Sequence, residues 1–212
     1  MVSILLASAS ERRREMLSGI FSDLAVTLES RTLSSEEMVP PSGTEVSGQV
    51  EMICAAKAQS AAEEITISGE KPDLMVVSDT LVEDPNDPTT SLGKPTDELS
   101  AASMLLGLSG GRHRVWSSTA LLYSPLIKMR GSEKLHGGWS ADIWTDSAIV
   151  EFDELTQEAL SELVSSGSWV GKAGAYDLAG MAGGHAALVE GDEATVLGFA
   201  YRAIEILSSF TG

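Results

Sequence analysis

The 212-residue chain has one cysteine, Cys54, which rules out an internal disulfide and a cysteine-built zinc site. Its three histidines, His113, His136 and His185, follow no ligand spacing. No stretch approaches the roughly 18 consecutive apolar residues of a membrane helix. The opening MVSILLAS lacks both a basic n-region and an adequate apolar core for a signal peptide. The expectation is a cytoplasmic protein with no membrane partner. Positive charge is scarce: 14 Lys and Arg stand against 31 Asp and Glu, a net charge of -17. Such a surface repels nucleic acid and anionic membranes, and it repels nucleotides unless the few cations share one cleft. The acidity itself reads as a solubility or salt-adaptation trait. A Walker A loop, a G-x-G-x-x-G turn after a strand and an HExxH helix are all missing, and no strand leads into a G-x-S-x-G nucleophile elbow.

What is present begins with ILLASASERRREML, residues 4–17. Ile4 to Ala7 reads as a short buried strand, and Arg12 to Leu17 as the first turns of a helix. Between them Ser8-Ala9-Ser10-Glu11 forms a small, hydroxyl-bearing loop that turns backbone N–H groups and a helix N-terminus outward, which suits an anion. Arg12 and Arg13 oppose the helix dipole there, an arrangement that makes sense beneath an anion; simple solvation is the alternative. Leu24 to Glu29 alternates as a strand, and a polar loop follows with Glu36 and Glu37 adjacent. Thr44 can cap a helix over about 45–64. On it Val46, Val50 and Ile53 form an apolar stripe, and Lys57 falls in mid-stripe. That lysine either snorkels to the rim or reaches into a site.

Asp73 to Ser78 is the apolar run of a strand buried on both faces. Asp79 and Thr80 follow at the end where open α/β sheets bind ligands, and Leu81-Val82 continues the strand. Residues 83–92 read as an exposed hairpin tip, followed by a lysine on a stiff turn, Gly93-Lys94-Pro95. A helix from Thr96 or Asp97 to about Leu108 would face inward through Leu99, Ala102, Leu105 and Leu106. Strands are expected at 114–123 and 141–152, joined irregularly, then a helix at 154–165. The glycine-rich SWVGKAGAYDLAGMAGGH (168–185) orders at high entropic cost and so reads as a ligand wrap. A strand at 186–189 and a closing helix at 195–208 complete the chain. Carboxylates (Glu37, Asp79), lysines on separate elements (Lys57, Lys94, Lys172) and an arginine pair form equipment for metal-assisted attack on a polyphosphate.

In seven ordered segments the chain resembles the Maf family of nucleoside triphosphate pyrophosphatases. They are LASASERR (6–13), AAKA (55–58), SDTLV (78–82), GKP (93–95), LSGGRHRV (108–115), GKAGAYDLAG (171–180) and VLGF (196–199). The resemblance spans nearly the whole chain and implies a single domain over 1–212. It implies an α/β fold with a mixed central sheet and flanking helices, two lobes around a nucleotide cleft, and a homodimer. The implied activity is hydrolysis of nucleoside triphosphates to monophosphate and pyrophosphate with Mg²⁺, Mn²⁺ or a similar divalent ion. On this resemblance Asp79 is the catalytic acidic residue, and Glu37, or Glu36 beside it, the second acidic residue; both would hold the metal. Lys57 and Lys94 would contact phosphate. Ser8, Ser10, Arg12, Arg13, Lys172 and Tyr176 would contact substrate. Glu11 replaces the proline of S-x-S-P-R-R, and Ala179 replaces the glutamine of Y-G-I-Q-G. Arg12-Arg13 and Tyr176 resemble the pyrimidine-preferring branch, and the expected substrates are pyrimidine or modified nucleotides such as dTTP and UTP. Two other readings stand beside it: a nucleotide-binding regulator of septum formation without turnover, and a purine housekeeper resembling inosine triphosphatase.

Overall fold

The computed structural model describes residues 2–34 and 38–209, so Glu36 and Glu37 lie outside the described residues. In chain order the elements are β1 (Val2–Ala7), α1 (Glu11–Ile20), β2 (Val26–Arg31), α2 (Val46–Ser68), β3 (Leu74–Asp84), β4 (Asp87–Leu92) and α3 (Glu98–Leu108). There follow β5 (Arg112–Tyr123), β6 (Glu133–Lys134), β7 (Ser140–Phe152), α4 (Gln157–Ser165), β8 (Ala186–Glu190), α5 (Glu193–Leu197) and α6 (Tyr201–Ser209). The strands form one mixed sheet in the order β2-β1-β3-β5-β7-β6, with β4 added to β3 and β8 to β7. β1 runs parallel to β2 and β3, and the remaining pairs are antiparallel. The expected α/β fold with a mixed central sheet is what the chain adopts.

Three long strands carry both ends of the molecule. At one end Leu74 and Val76 pack with Leu17, Phe21 and Leu207, while the alternate residues Met75 and Val77 pack with Cys54, Ala58 and Ile65. A strand covered on both faces needs apolar residues at every position, which is why residues 74–77 show no alternation. At the other end Val82, Val115 and Val150 join a separate core with Leu105, Leu163 and Tyr176. Between the two lies a polar belt across three strands: Ser78-Asp79-Thr80 on β3 pairs with Ser117-Ser118-Thr119 on β5, which pairs with Thr145 and Asp146 on β7. The belt coincides with a gap in the sheet. On its free side β3 pairs with β1 through Val76 and with β4 from Val82. Residues 77–81 have no strand against that edge, and a cleft opens there.

Several boundaries differ from the sequence reading, each for a local reason. The α2 stripe runs through Val50, Cys54, Ala58, Ala61 and Ile65, all buried. Counting the small residues as core shifts its centre, so Lys57 sits roughly 60° off it, toward one margin. Glu45, not Thr44, occupies the N-cap position of α2, without a side-chain capping bond, and the Thr44 hydroxyl donates instead to the Pro41 carbonyl at 2.8 Å. On α3 the inner face is Ala101, Leu105 and Leu108, whereas Leu99 and Leu106 are 80% and 57% exposed. The i, i+4, i+7 set faces the core; of the expected inner residues Leu105 belongs to it, and Leu99 and Leu106 do not. The hairpin tip at 83–92 is mostly strand, with Pro88 tolerated because β4 lies at an edge. The irregular connection holds the two-residue β6, and α4 starts at Gln157 after the Thr156 cap. The closing helix is two helices, broken at Gly198.

Candidate active site

The cleft at the β3 gap encloses about 600 Å³. Its walls come from the β1–α1 loop, the middle of β3, Lys57 of α2, the turn after β4, the glycine-rich segment and the end of α5. Ser8, Ser10, Arg12, Arg13, Lys57, Asp79, Lys94, Lys172 and Tyr176 all line it. Residues separated by up to about 170 positions in the chain thus meet at one opening. Glu37, expected as a second acid, is outside the described residues, so its place is not part of this geometry.

The loop is held open by its own hydroxyls. Ser8 Oγ accepts the Ser10 N–H at 3.1 Å, and Ser10 Oγ caps α1 by accepting the Arg13 N–H at 3.5 Å. The N–H groups of Glu11 and Arg12 fall in the first turn, where no intrahelical acceptor exists. Asp79, at mid-β3, receives the Lys57 ammonium on Oδ1 at 2.5 Å. Lys57 therefore reaches the cleft from the margin of its stripe. The Asp79 side chain is 17% exposed, enough to meet a ligand. Lys94 is exposed at the mouth and makes no ion pair among the described residues. Gly93, beside it, accepts the Gly174 N–H at 3.1 Å, which ties that turn to the glycine-rich segment.

Arg13 is committed differently from a free phosphate grip. Its Nε donates to the Gly198 carbonyl at 2.8 Å, Nη1 to the Ser78 carbonyl at 2.9 Å, and Nη2 to Thr80 Oγ1 at 2.9 Å. Three of its five N–H bonds are thereby used, leaving two for a ligand. Burial lowers its pKa from the ordinary value, and the Asp79 charge opposes that shift; a guanidinium remains cationic regardless. Gly198 makes the contact possible. Its φ is 125°, and a Cβ there would sit 2.6 Å from Arg13 Nε. The same carbonyl lies 2.7 Å from Ser78 Oγ, and the Ala200 N–H donates to Thr119 Oγ1 at 2.8 Å. The helix break thus anchors to the polar belt, and the arginine ties both to α1.

Arg12 and Lys172 share a counter-ion the sequence reading missed. Arg12 Nη1 donates to Asp177 Oδ1 at 2.9 Å, and Lys172 Nζ lies 3.5 Å from Asp177 Oδ2. Tyr176 borders the cleft with its ring while its hydroxyl lies 2.8 Å from His113 Nε2 in the core. Both rings stand edge-on to one another, 5.3 Å apart. Burial pushes the Tyr176 phenol above its usual value and lowers the His113 imidazole to about 4, so the pair is neutral at pH 7. The belt residues on β5 and β7 and the role of His113 were also missed. The signal was there: VVSDTLV and VWSSTALL each carry a polar triplet inside an apolar strand. A run of that kind marks a buried strand crossing something wet.

Residues 3–209 match the family model for Maf-like proteins. The chain belongs to the Maf family. Among Maf relatives, the dTTP/UTP pyrophosphatase of Clostridium botulinum (strain Kyoto / Type A2) is 34% identical over 185 residues, covering 86% of this chain and 84% of the relative. That of Clostridium novyi (strain NT) is 32% identical over 200 residues, covering 93% and 91%. The Hahella chejuensis dTTP/UTP pyrophosphatase is 32% identical, covering 92% of this chain and 85% of its own. Among solved structures, the Ham1 protein of Staphylococcus aureus aligns with a TM-score of 0.45 at 12% identity, over 71% of each chain. Each Maf motif noted in the sequence contributes at least one cleft residue, LSGGRHRV through Val115.

Proposed function

We infer that this protein hydrolyses nucleoside triphosphates to the monophosphate and pyrophosphate, with dTTP and UTP as its substrates. One observation carries the reading. In a chain of net charge -17, five cationic side chains line a single cleft beside Asp79. Membership of the Maf family and relatives of that activity over most of the chain support the same reading.

The residues present suit a hard divalent cation. Lys57 holds one Asp79 oxygen and leaves the other for a cation, and Mg²⁺ is commonly held by one or two carboxylates with substrate phosphates and water. Among the described residues no three His, Cys, Asp or Glu side chains cluster as a metal cage. Asp79, with Glu37 as the second acid, would hold Mg²⁺ or Mn²⁺; when bound, the ion supplies charge neutralisation on the phosphates. The protein's own groups do the rest. The α1 N-terminus, Ser8 and Ser10 receive phosphate oxygens, with Arg12, Lys94 and Lys172 as counter-charges. Lys57 orients the Asp79 carboxylate, which accepts the proton of a water aimed at the α-phosphorus. Arg13 offers its two remaining N–H bonds while fixing the Asp79 strand in place. A homodimer in the cytoplasm belongs to the same proposal.

A panel of nucleoside triphosphates with Mg²⁺, assayed for monophosphate and pyrophosphate, tests this. Pyrophosphate should appear in step with monophosphate, fastest from dTTP and UTP, and Asp79→Asn should lower kcat about 10²-fold or more. Tight nucleotide binding without pyrophosphate release overturns the reading. Near-normal turnover by Asp79→Asn removes that residue from the mechanism.

A further inference from the structure

Two cations of the cleft wall, Arg12 and Lys172, already hold an anion, Asp177, which stands just behind the lining. We propose that Asp177 is an internal competitor of the substrate's phosphate chain for Arg12 and Lys172, and so a determinant of nucleotide affinity. The proposal rests on the hydrolase reading, since it takes the phosphate chain to be what meets these cations.

The geometry is that of a surrogate ligand. Asp177 presents one oxygen to Arg12 at 2.9 Å and the other to Lys172 at 3.5 Å, bridging two cations as two oxygens of a phosphate would. Both cations line the cleft, and their side chains are only 24% and 26% exposed. Bulk water screens a half-buried pair of this kind less than a surface one. The fit is incomplete, however. Arg12 Nε is buried and has no acceptor in the described structure. A buried N–H left without an acceptor is unfavourable, and a carboxylate offers too few oxygens to serve the whole guanidinium fork together with the lysine. A phosphate chain, with more oxygens and more charge, can serve both. The other charged pair in the cleft differs: Lys57 holds Asp79, the residue placed in the chemistry, and is not in excess.

Binding is then an exchange of one anion for another. Asp177, held by Arg12 and Lys172, joins the glycine-rich segment to α1. The arriving nucleotide displaces the carboxylate, and part of its binding energy is spent doing so. Removing the carboxylate should strengthen binding of every ligand that reaches these cations and should leave the chemical step alone.

The experiment compares wild type with Asp177→Asn and Asp177→Ala. Inorganic tripolyphosphate, titrated calorimetrically without metal, is the binding probe, and dTTP with Mg²⁺ gives KM and kcat. Both variants should bind tripolyphosphate about five- to tenfold more tightly, the scale of two partly exposed ion contacts. KM for dTTP should fall by a similar factor with kcat little changed, and log affinity should fall more steeply with log salt than in wild type. A merely structural Asp177 predicts the opposite: weaker probe binding, raised KM and a lower melting temperature in both variants. That result, or variants that bind tripolyphosphate no more tightly than wild type, overturns the proposal. If wild type releases no pyrophosphate from any nucleotide yet the variants bind the probe more tightly, the hydrolase reading fails and the role of Asp177 stands.

Discussion

Replacing Gly198 with alanine should unseat Arg13. The backbone there holds φ at 125°, and the added Cβ would stand 2.6 Å from Nε and 3.3 Å from Cγ and Nη2 of the arginine. Two penalties combine. A side chain at that φ is strained, and the guanidinium must give up at least part of its bonds to Gly198, Ser78 and Thr80. Strain at a forbidden backbone angle and disruption of charge-assisted hydrogen bonds together amount to about 3–5 kcal/mol. For a chain of this size each kcal/mol moves Tm by about 2–4 °C, so the shift should be about 6–20 °C. Thermal unfolding by circular dichroism measures it directly. A double-mutant cycle isolates the cause: in an Arg13→Met background the clash has lost its charged partner, so Gly198→Ala should cost at least about 1 kcal/mol less. A single variant within about 0.5 kcal/mol of wild type, or strict additivity in the cycle, would refute the idea that glycine is needed for the arginine.

Two further predictions concern titration and reactivity. His113 is held near 4 against an ordinary value of 6.5, so between those pH values the unfolded chain binds a proton that the folded one refuses. Stability from this group is full above pH 6.5 and should fall by about 3 kcal/mol as pH drops to 4. Urea midpoints at pH 7.5 and 4.5 measure the loss; His113→Phe, less stable overall because it leaves the Tyr176 hydroxyl unpartnered, should show a flatter profile. Cys54 is fully buried and its thiol is pushed up to about 12. It should resist a thiol reagent at pH 8 in the native protein and react only on unfolding; rapid labelling of the folded chain would contradict the packing under α2.

The framework was legible where it depends on local pattern. The unbroken apolar run into Asp79 announced a doubly covered strand, and Leu81-Val82 showed that it continued. The arginine pair on α1 and the lysine on α2 were visible as cations in unusual places. What stayed hidden depends on partners far away in the chain. Gly198 inside a helical pattern reads as a tolerated weak point, because the reason for a break there is an arginine 185 residues earlier. Tyr176 looked like a substrate-contacting residue, and nothing in its neighbours reveals that its hydroxyl meets His113. Asp177 stood in plain view within the glycine-rich segment, yet its effect on Arg12 is purely tertiary. On α3 Leu105 was read correctly as core, while Leu99 and Leu106, identical to it in type, could not be told from core by residue type alone.

The ladders from β3 through β5 to β7 run unbroken past the polar belt, with paired residues at every position from Leu74 to Val82 and from Arg112 to Tyr123. The apolar ends on either side are therefore welded to one stiff spine. Prying them apart like the halves of a shell would bend three hydrogen-bonded ribbons at once. Any adjustment to an incoming guest must come from swinging side chains and the glycine-rich wrap, while the spine keeps Asp79 still.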